Sequence, residues 1–289
     1  QLRVTGAVED ILKKLQNAGV VYEADGVQWL RSTDGGDDKD RVLIKTNGDP
    51  TYILPDISYH YNKLEVRKFD EVINIWGADH YGDVARLRFG IKSLGIDEKK
   101  LKIILVQFVR LIKDGVEFKM SKRKGNFVTL DELVEEAGVD ATRWFFLMHS
   151  AGSHMDFDLS LAKEKSSKNP VYYVQYAFVR CQAILQKAQN EKRKTQNSTK
   201  ISDYVFKTED ELRLMKQLVQ LPDILSQTAE DYQVNRLTRY AYELASAFHN
   251  FYEKERAIPS TSSGQVLIFN EETEMRLALV AATKTILER

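Results

Sequence analysis

EVINIWGADHYGDVARLRFGIKSLG, residues 71–95, places a short apolar run directly before a polar turn and a helical pattern. The run EVINIWG predicts a buried strand, and the residues after it predict a loop and then a helix that ends near Gly95. A second strand-like run, LKIILVQFVRLI, follows at residues 101–112. Because strands that alternate with amphipathic helices form parallel sheets, this stretch predicts an α/β layer.

The other segments of the N-terminal half predict one more helix and several hairpins. AVEDILKKLQNA, residues 7–18, repeats apolar residues at helical spacing and is followed by Gly19. Favoured turn pairs, each between two strand-like runs, predict three hairpins at Asp25-Gly26, Asn47-Gly48 and Asp114-Gly115.

The C-terminal half predicts a helical bundle, because no segment from about residue 140 onward has the pattern of a strand. Several helices begin with a capping signal, namely Thr129 with Glu132, Asp140, Asn169 with Pro170, and Thr208 with Glu211. The polar stretches 190–200 and 259–265 have the composition of connecting loops. The chain therefore predicts an α/β layer followed by an all-α helical-bundle domain.

The composition is that of an ordinary globular chain of 289 residues, with 43% hydrophobic and 29% charged residues. Equal numbers of basic and acidic residues, 42 of each, argue against a polybasic mode of nucleic-acid binding. No apolar run approaches the roughly 20 residues that span a bilayer, and we expect neither a membrane partner nor a signal peptide. The single cysteine, Cys181, fits a reducing cytoplasm and predicts a buried structural thiol.

EFKMSKRKGN, residues 117–126, carries two lysines three positions apart, Lys119 and Lys122, on a loop after a short strand. Such a loop can bring ammonium groups to the phosphates of a nucleotide. If pyrophosphate leaves, a positioned lysine stabilises the charge that grows on it in the transition state. The alternative is a solvated basic loop, which is the commoner meaning of a lysine-rich segment.

WGADHYG, residues 76–82, lies after a predicted strand, where doubly wound sheets bind their ligands. Asp79 and His80 would face that crevice, and Gly77 would let backbone approach a ligand. The alternative is a capping aspartate beside a surface histidine. No second cluster of histidine or cysteine accompanies the segment, so we predict no protein metal site.

TYILPDISYH, residues 51–60, places Tyr52 and Asp56 four residues apart, on one face if a helix begins near Pro55. An aromatic ring beside a carboxylate suits a cationic ligand, because the ring offers cation–π attraction and the carboxylate can accept two hydrogen bonds from a guanidinium. The alternative is a core tyrosine with an aspartate that caps the helix.

NPVYYVQYAFVR, residues 169–180, places Tyr173 and Tyr176 on one helix face, with Arg180 one turn later. Tyrosines beside an arginine can stack on unpaired RNA bases. The alternative is the core of the bundle, because an aromatic stripe at helical spacing is commonly buried.

Together these segments resemble arginyl-tRNA synthetases of the bacterial type, which are class I aminoacyl-tRNA synthetases. The motifs that carry the resemblance occur in the family's order, as DRVLIKTNGDPTYILPDISYH, WGADHYGDVARL, KMSKRKGNFVTLDELVEEAGVDATRWFFL, HMDFDLSLAKEKSSKNPVYYVQYAFVR and RLTRYAYELASAFHNFYE. KMSK alone marks class I synthetases in general, whereas its combination with PVYYVQYA is far more specific.

The resemblance implies a partial class I, Rossmann-like nucleotide-binding domain followed by an all-α anticodon-binding domain. Its boundaries would be 1–126 for the C-terminal half of the catalytic domain, 127–165 for a connector and 166–289 for the helical domain. The implied reaction joins arginine and ATP into arginyl-adenylate and pyrophosphate, and then transfers the arginyl group to tRNA-Arg. Mg²⁺ would accompany ATP, and the protein would be a cytoplasmic monomer.

The resemblance also assigns roles to residues by position. It implies a signature loop at Lys119, Met120, Ser121 and Lys122, with Lys122 as the main phosphate contact. It implies an arginine pocket at Tyr52, Asp56 and His80, with Asp79 and Gly77 on the ATP side. It implies a tRNA-binding surface at Tyr173, Tyr176 and Arg180.

The sequence departs from the family's pattern at two places. The other class I signature, HxGH, is absent, because no two of the five histidines have that spacing. We therefore expect a fragment without the N-terminal part of the nucleotide fold, and negligible tRNA charging by the chain alone. Tyr81 and Asp83 stand where many relatives have histidine and an aromatic residue. Two alternatives remain open, a non-catalytic tRNA-binding module and a class I synthetase for another amino acid, such as cysteine or glutamine.

Overall fold

The computed structural model describes residues 6–118, 128–195, 205–255 and 270–288. The chain divides into two compact units. Unit 1 is Gln1–Phe108 with Ala151–Ser153, and unit 2 is Val109–Ser150 with His154–Arg289. Each unit contains its own buried hydrophobic clusters. The three domain ranges that the resemblance implies remain predictions.

Unit 1 combines helices with two small sheets. Its elements are α1 (Ala7–Asn17), β1 (Val21–Ala24), β2 (Val27–Leu30), β3 (Arg41–Ile44), α2 (Ile53–Tyr61), β4 (Val72–Gly77), α3 (Tyr81–Ser93) and β5 (Leu101–Val106). Strands β1, β2 and β3 form an antiparallel sheet, and β4 and β5 form a parallel pair. The predicted α/β character of this half of the chain is therefore confirmed.

Strand β4 has one covered face and one open face. It pairs with β5 from Val72 opposite Leu101 to Gly77 opposite Val106, and α3 is the crossover between them. Val72 and Asn74 are buried, whereas Ile73 and Ile75 on the opposite face are 45% and 70% exposed within the described part of the chain. The predicted buried strand is therefore buried on one face only within the described residues, and apolar side chains line its open face.

A glycine lets α2 and α3 pack closely against each other. A Cβ atom at Gly90 would lie only 2.4 Å from Cδ1 of Ile57. Ile57 and Ile91 are completely buried at this contact between the helices. Burial of each such side chain stabilises the fold by about 1.5–3 kcal/mol. Gly90 therefore fixes how near the helix that carries Asp56 lies to the helix that follows His80.

The predicted turns have mixed outcomes. Asp25 and Asp114 have φ values of 54° and 52°, and the glycines that follow them also have positive φ, so both hairpins form as predicted. The turn at Asn47-Gly48 closes only an isolated bridge between Ile44 and Pro50. The second strand predicted after that turn is therefore wrong, because α2 begins three residues beyond Pro50.

Unit 2 consists of a small three-stranded sheet and a set of helices. Its elements are β6 (Val109–Lys113), β7 (Val116–Glu117), α4 (Leu130–Ala137), α5 (Val139–Leu147), β8 (Met155–Asp158), α6 (Leu159–Lys163), α7 (Pro170–Thr195), α8 (Glu209–Val219), α9 (Leu221–Asp231), α10 (Asn235–Glu255) and α11 (Glu271–Leu287). The helical bundle predicted for the C-terminal region is confirmed. Among the residues described in both units, no helix combines the length and apolar character needed to cross a membrane.

The prediction of no strand after about residue 140 is wrong, because β8 pairs in parallel with β6. Its four residues alternate between two faces, with Met155 and Phe157 buried. This alternation is the period-two signal of a strand, but it covers too few residues to be distinctive. Asp158 then ends the strand and caps α6 by accepting a hydrogen bond from the Leu161 amide at 2.9 Å.

Most of the predicted helix starts are confirmed. Thr129 and Thr208 each form a complete capping box with the glutamate three residues later. Asn169 Oδ1 accepts a hydrogen bond from the Val171 amide at 3.0 Å, at the start of α7. The cap predicted at Asp140 is wrong, because α5 begins at Val139 and Gly138 holds the N-cap position. Cys181 is buried as predicted, and this burial raises the pKa of its thiol to about 12.

Arg276 links three acidic side chains within the bundle. Its guanidinium lies 2.8 Å from carboxylate oxygens of both Glu211 and Glu255, and 2.9 Å from Glu272. The Glu211 side chain is completely buried. Burial alone would raise the pKa of Glu211, but hydrogen bonds from Arg276 and from backbone amides lower it overall. The buried carboxylate is therefore ionised and depends on this arginine.

We predict that Arg276→Gln lowers the free energy of unfolding by about 3–5 kcal/mol, because it leaves a buried charge without its partner. Urea unfolding followed by circular dichroism measures this change. Since the pKa of Glu211 is lower in the folded chain, its contribution is present above its unfolded pKa and is lost as the pH falls through the folded pKa. Arg239→Gln, which removes an exposed pair with Glu243, is the matched control. Equal losses in the two variants would contradict the prediction.

Candidate functional site

A cavity of about 610 Å³ opens in unit 1 between β3, the start of α2, the end of β4 and α3. Its lining residues are Arg41, Val42, Thr51, Tyr52, Ile53, Asp56, Trp76, His80, Asp83, Arg86 and Leu87. The structure therefore brings together three of the predicted site residues, Tyr52, Asp56 and His80, although 28 positions separate the first from the last.

Tyr52 and Asp56 belong to the first turn of α2. Tyr52 is 89% exposed, and no side chain caps the helix there, so the alternative of a core tyrosine with a capping aspartate is wrong. Asp56 is exposed at the cavity, yet partial desolvation raises the pKa of its carboxyl group. Among the described residues, none forms an ion pair or hydrogen bond with its carboxylate. A carboxylate in this position is suited to a cationic guest.

His60 holds the Asp56 backbone in place. Its Nδ1 lies 2.8 Å from the Asp56 carbonyl oxygen, and its Nε2 lies 2.7 Å from Nδ2 of Asn74 on β4. Because a carbonyl oxygen only accepts, Nδ1 carries the hydrogen and the Asn74 amide donates to Nε2. Burial also lowers the pKa of His60, so the ring is neutral near pH 7. The hydrogen bond within α2 orients the His60 ring, and the one from Asn74 ties the helix that carries Asp56 to the parallel sheet.

His80 lies at the end of the short 3₁₀ turn Ala78–His80, which connects β4 to α3. Its Nδ1 donates a hydrogen bond of 2.8 Å to Oδ2 of Asp83, and its ring centre lies 6.1 Å from that of Trp76. The hydrogen bond to Asp83, together with the charge of Asp79, raises the pKa of His80. The hydrogen bond holds the ring at the cavity wall, and the raised pKa means that more of His80 is protonated at a given pH than in an ordinary histidine.

The two residues predicted for the ATP side, Asp79 and Gly77, lie beside this cavity and not in its lining. A Cβ atom at Gly77 would come within 2.4 Å of Oδ1 of Asp79, so the missing side chain leaves space for that carboxylate. The other Asp79 oxygen, Oδ2, lies 3.9 Å from Nε2 of His80. The structure therefore places both residues at the carboxyl end of β4, and their role stays a prediction.

Several wall residues were not predicted from the sequence as site residues. Arg41, Trp76 and Arg86 line the cavity together with Asp83, which the sequence marked only as a departure from the family pattern. Asp83 and Arg86 are three positions apart on one helix, and Arg86 Nη1 lies 3.1 Å from Oδ1 of Asp83. This spacing is a recognisable signal of an ion pair on a helix, but it does not by itself indicate a cavity.

The signature loop, Lys119, Met120, Ser121 and Lys122, lies outside the described residues. Its two flanks are described, and both belong to unit 2. On one side, the Phe118 amide donates a hydrogen bond of 2.8 Å to the Leu111 carbonyl oxygen. On the other, Thr129 forms the cap of α4.

An aromatic surface lies on α7 in unit 2. The rings of Tyr172 and Tyr176 are stacked, with centres 6.3 Å apart and planes at 5°. The Arg180 guanidinium lies 4.6 Å from the Tyr176 ring centre, and its Nη2 donates a hydrogen bond of 2.7 Å to the Tyr176 hydroxyl. Tyr176 is 45% exposed and Tyr172 is 38% exposed. We call these three residues the tyrosine–arginine stack.

Tyr173 packs against the bundle core, as the alternative indicates, and shares its neighbour His249 with Tyr176. Its ring packs 5.1 Å from Tyr242 and 4.7 Å from His249, measured between ring centres. Burial raises the pKa of its hydroxyl. Of the two predicted tyrosines, Tyr176 therefore belongs to the exposed stacked pair and Tyr173 packs against the bundle. A spacing of four residues would instead have selected Tyr172, Tyr176 and Arg180 together.

His249 supports Arg180 from α10. It is 7% exposed, and its Nδ1 lies 3.4 Å from Nη1 of Arg180. Burial is the main cause that lowers the pKa of His249, and the neighbouring arginine lowers it further. A neutral His249 can accept a hydrogen bond from the guanidinium, whereas a protonated ring would repel it. The arginine of the stack is therefore positioned by a neutral imidazole.

Comparison with known proteins assigns a class to both units. Residues 4–147 match the family described as tRNA synthetases class I (R), catalytic domain, and residues 174–289 match the DALR anticodon binding domain. An arginyl-tRNA synthetase structure from Campylobacter jejuni superposes with a TM-score of 0.80 at 35% identity, over 98% of this chain and 60% of that chain. The Thermus thermophilus arginyl-tRNA synthetase, at 20% identity, shares the fold with a TM-score of 0.78, over 98% of this chain and 56% of that chain.

These matches define a class I aminoacyl-tRNA synthetase catalytic fold joined to an anticodon-binding domain. Arginine–tRNA ligase 1 of Halalkalibacterium halodurans is 44% identical over 99% of this chain, and the arginine–tRNA ligase of Bacillus pumilus is 47% identical over 96%. The chain belongs to the arginyl-tRNA synthetase family. It spans about half the length of these curated relatives, 50% and 48% respectively. The alternative of a synthetase for another amino acid is therefore set aside.

We predict that mild acid destabilises the chain through His60 and His249. Their pKa values are lowered in the folded state, so the unfolded chain takes up protons first as the pH falls below about 6.5. The stabilising effect of the neutral rings is complete above that pH and declines below it. Urea midpoints at pH 7.5 and 5.5 measure the effect, and His249→Gln should reduce the difference between them. His154→Gln, at an exposed position, is the control and should leave the difference unchanged.

Proposed function

We propose that this chain is the part of an arginine–tRNA ligase that carries the arginine pocket, the phosphate-binding loop and the anticodon-binding bundle. The whole protein would use ATP to activate arginine and would then transfer the arginyl group to tRNA-Arg in the cytoplasm, acting as a monomer. The observation that carries the proposal is the Asp56 carboxylate, which has no ionic partner within the described ranges, beside exposed Tyr52 in one cavity. Membership of a ligase family supports it.

In this proposal Asp56 selects the guanidinium of arginine. A planar guanidinium can donate two parallel hydrogen bonds to one carboxylate, and the Tyr52 ring can cover its face. Desolvation has already raised the pKa of Asp56, and a bound cation would reverse that shift by favouring the ionised form. A ligand without the guanidinium would leave the carboxylate unpaired, which can discriminate against it by about 10⁴-fold.

Lys119 and Lys122 would act on the phosphates of ATP, with Lys122 as the main contact. Negative charge grows on pyrophosphate as it leaves, so an ammonium group placed there lowers the barrier more than it strengthens ground-state binding. Removal of one such contact costs about 10²–10³-fold in rate. Mg²⁺ would arrive with ATP, because it is bound mainly through substrate phosphates in sites of this kind. Asp79 and Gly77 would lie on the ATP side of the pocket.

The tyrosine–arginine stack would bind unpaired bases of the tRNA. Tyr172 and Tyr176 already present parallel ring faces, and Arg180 holds one of those rings by its hydroxyl group. Each base that stacks on an aromatic side chain contributes about 1–3 kcal/mol to binding. Tyr173 would support this surface from the packed side of α7 through its contacts with Tyr242 and His249.

Catalysis would also need chain beyond the residues present here. Parallel sheets are covered on both faces in proteins, yet Ile73 and Ile75 of β4 lie on an open face in the described part of the chain. The curated relatives are about twice as long as the segment matched here. We propose that the family's HxGH segment covers this face and supplies the second half of the ATP site.

The proposed ligase is tested by complementation. We expect no charging of tRNA-Arg with labelled arginine by the chain alone, and measurable charging after co-expression with the part of the Bacillus pumilus relative that this chain does not match. Asp56→Asn should abolish arginine-dependent charging in the reconstituted protein, because it removes the charge that pairs with the guanidinium. Asp10→Asn, on the exposed side of α1, is the control. Charging that survives in Asp56→Asn would contradict the assigned pocket.

The tRNA-binding surface is tested separately. We expect Tyr176→Ala to weaken tRNA-Arg binding by about 1–3 kcal/mol, which is roughly 5- to 150-fold. Tyr176→Phe keeps the ring and should retain most of the affinity. Filter binding on the isolated chain measures both variants, with Leu225→Ala at an exposed position of α9 as the control. Strong tRNA binding without charging in the complementation experiment would support the non-catalytic tRNA-binding module instead.

A further inference from the structure

The loop before β3 contains a buried aspartate that no role assigned so far explains. The Asp37 side chain is only 3% exposed, and it faces two guanidinium groups. Arg41 donates two hydrogen bonds of 2.9 Å to it, one to each carboxylate oxygen. Burial alone would raise the pKa of Asp37, but the hydrogen bonds from Arg41 and the nearby charge of Arg86 hold it well below its usual range. Asp37 is therefore a permanent buried anion.

Arg86 connects this anion to the cavity wall. Its Nε lies 3.1 Å from Oδ2 of Asp37, and its Nη1 lies 3.1 Å from Oδ1 of Asp83. The Arg86 side chain is itself only 16% exposed, and its Nε has no hydrogen-bond partner among the described residues, so its link to Asp37 is an ion pair. Oδ2 of Asp83 then accepts the 2.8 Å hydrogen bond from Nδ1 of His80. Acidic and basic side chains therefore alternate along the contacts that lead from Asp37 through Arg86 and Asp83 to His80.

We infer that Asp37, Arg86 and Asp83 are positioning residues that fix the orientation of the His80 ring in the cavity. They act on the substrate through His80, although Asp83 and Arg86 also line the cavity. The inference rests on the proposed function in one respect, that arginine is the molecule that occupies the cavity. The ion-pair geometry stands without it.

The first consequence concerns the hydrogen on the His80 ring. An ionised carboxylate can only accept, so the contact with Asp83 requires the hydrogen on Nδ1. Nε2 is thereby left for the cavity, as a lone pair in the neutral ring or as a donor in the cation. The charged groups that face this ring are Asp83 on α3, Asp79 on the 3₁₀ turn and Asp56 on α2. Of these, Asp83 alone lies at hydrogen-bond distance.

The second consequence concerns the charge of the wall. Arg41 and Arg86 both line the cavity that would receive a guanidinium. Their positive charges would repel it unless they were compensated, and the compensation comes from Asp37 and Asp83. The same carboxylates therefore direct His80 and cancel the repulsion of a cationic substrate by its own pocket.

Nitrogen NMR of the histidine rings in the 289-residue chain tests the inference without arginine. The ring signals are assigned with His80→Gln, and ¹⁵N shifts at high pH report which nitrogen carries the hydrogen. We expect the Nδ1–H form in the native chain and a change to the commoner Nε2–H form in Asp83→Ala. Arg86→Gln and Asp37→Asn should give a mixture of the two forms, because Asp83 is then no longer held.

Asp38→Asn is the matched control. Asp38 is adjacent to Asp37 and has the same charge, but its side chain is 72% exposed and it forms an ion pair with Arg41 rather than with Arg86. We expect its His80 signals to match those of the native chain. Should Asp37→Asn fail to fold, Asp83→Ala and Arg86→Gln decide the question. An Nδ1–H form that persists in Asp83→Ala would overturn the inference, as would equal effects of Asp37→Asn and Asp38→Asn.

Kinetics of the reconstituted protein separate this inference from the proposed function. Asp83→Ala should lower kcat/KM for arginine by up to about 100-fold, because small displacements of a positioning group have effects of this size. Asp83→Glu, which keeps the acceptor, should restore part of the loss. If Asp56→Asn abolishes charging while Asp83→Ala leaves the ring hydrogen in place, the positioning role fails and the function stands. If the ring hydrogen moves while Asp56→Asn remains active, the assigned pocket fails and the positioning role stands.

Discussion

The parallel pairing of β4 with β5 is the constraint on which the cavity in unit 1 depends. Six consecutive residue pairs fix the end of β4 at Gly77, and the chain must then turn and return through α3 to reach β5. That turn contains Asp79 and His80, and the first turns of α3 contain Asp83 and Arg86. The positions of four charged or titratable side chains therefore follow from a hydrogen-bonded register that involves none of those side chains.

Two contacts inside unit 1 then set where α2 and its Asp56 carboxylate lie in the cavity wall. Gly90 brings α2 close to α3, and His60 ties the backbone of Asp56 to Asn74 on β4. Gly90 acts by leaving out the volume of a side chain, whereas His60 acts through directional hydrogen bonds. Together they place Asp56, whose carboxylate has no ionic partner among the described residues, in the same cavity as His80, which is already paired with Asp83. The Asp56 carboxylate is open to a cationic ligand, whereas the Asp83 carboxylate already contacts His80 and Arg86. The two sides of the cavity therefore differ chemically.

Sequence reasoning succeeded where the signal is local. Residue pairs such as Asp25-Gly26 and Asp114-Gly115, and the capping boxes at Thr129 and Thr208, dictate their own backbone geometry over three or four residues. Tyr52, Asp56 and His80 were also brought to one cavity as the resemblance implied, because the start of α2 and the turn after β4 both line it.

It failed where the partner is distant in the chain. β8 is too short to show its period, and it exists because β6, more than 40 residues earlier, offers it an edge. The contact of Asp37 with Arg86 joins a loop to a helix 49 positions later, and no spacing rule covers such a pair. On α7 the sequence could not show which tyrosine stacks on Tyr176, since Tyr172 and Tyr173 differ in whether the ring packs on Tyr176 or on Tyr242 of α10.

The strand β6 has one more effect, through its hydrogen bond to Phe118, the residue that precedes the signature segment. Along the chain the two lysines follow the α/β half, but the hydrogen bond from Phe118 to Leu111 and the cap at Thr129 assign both ends of their segment to the unit that contains the bundle. Under the proposed function, the segment that would act on ATP therefore begins and ends in the same compact unit as the surface that would bind tRNA.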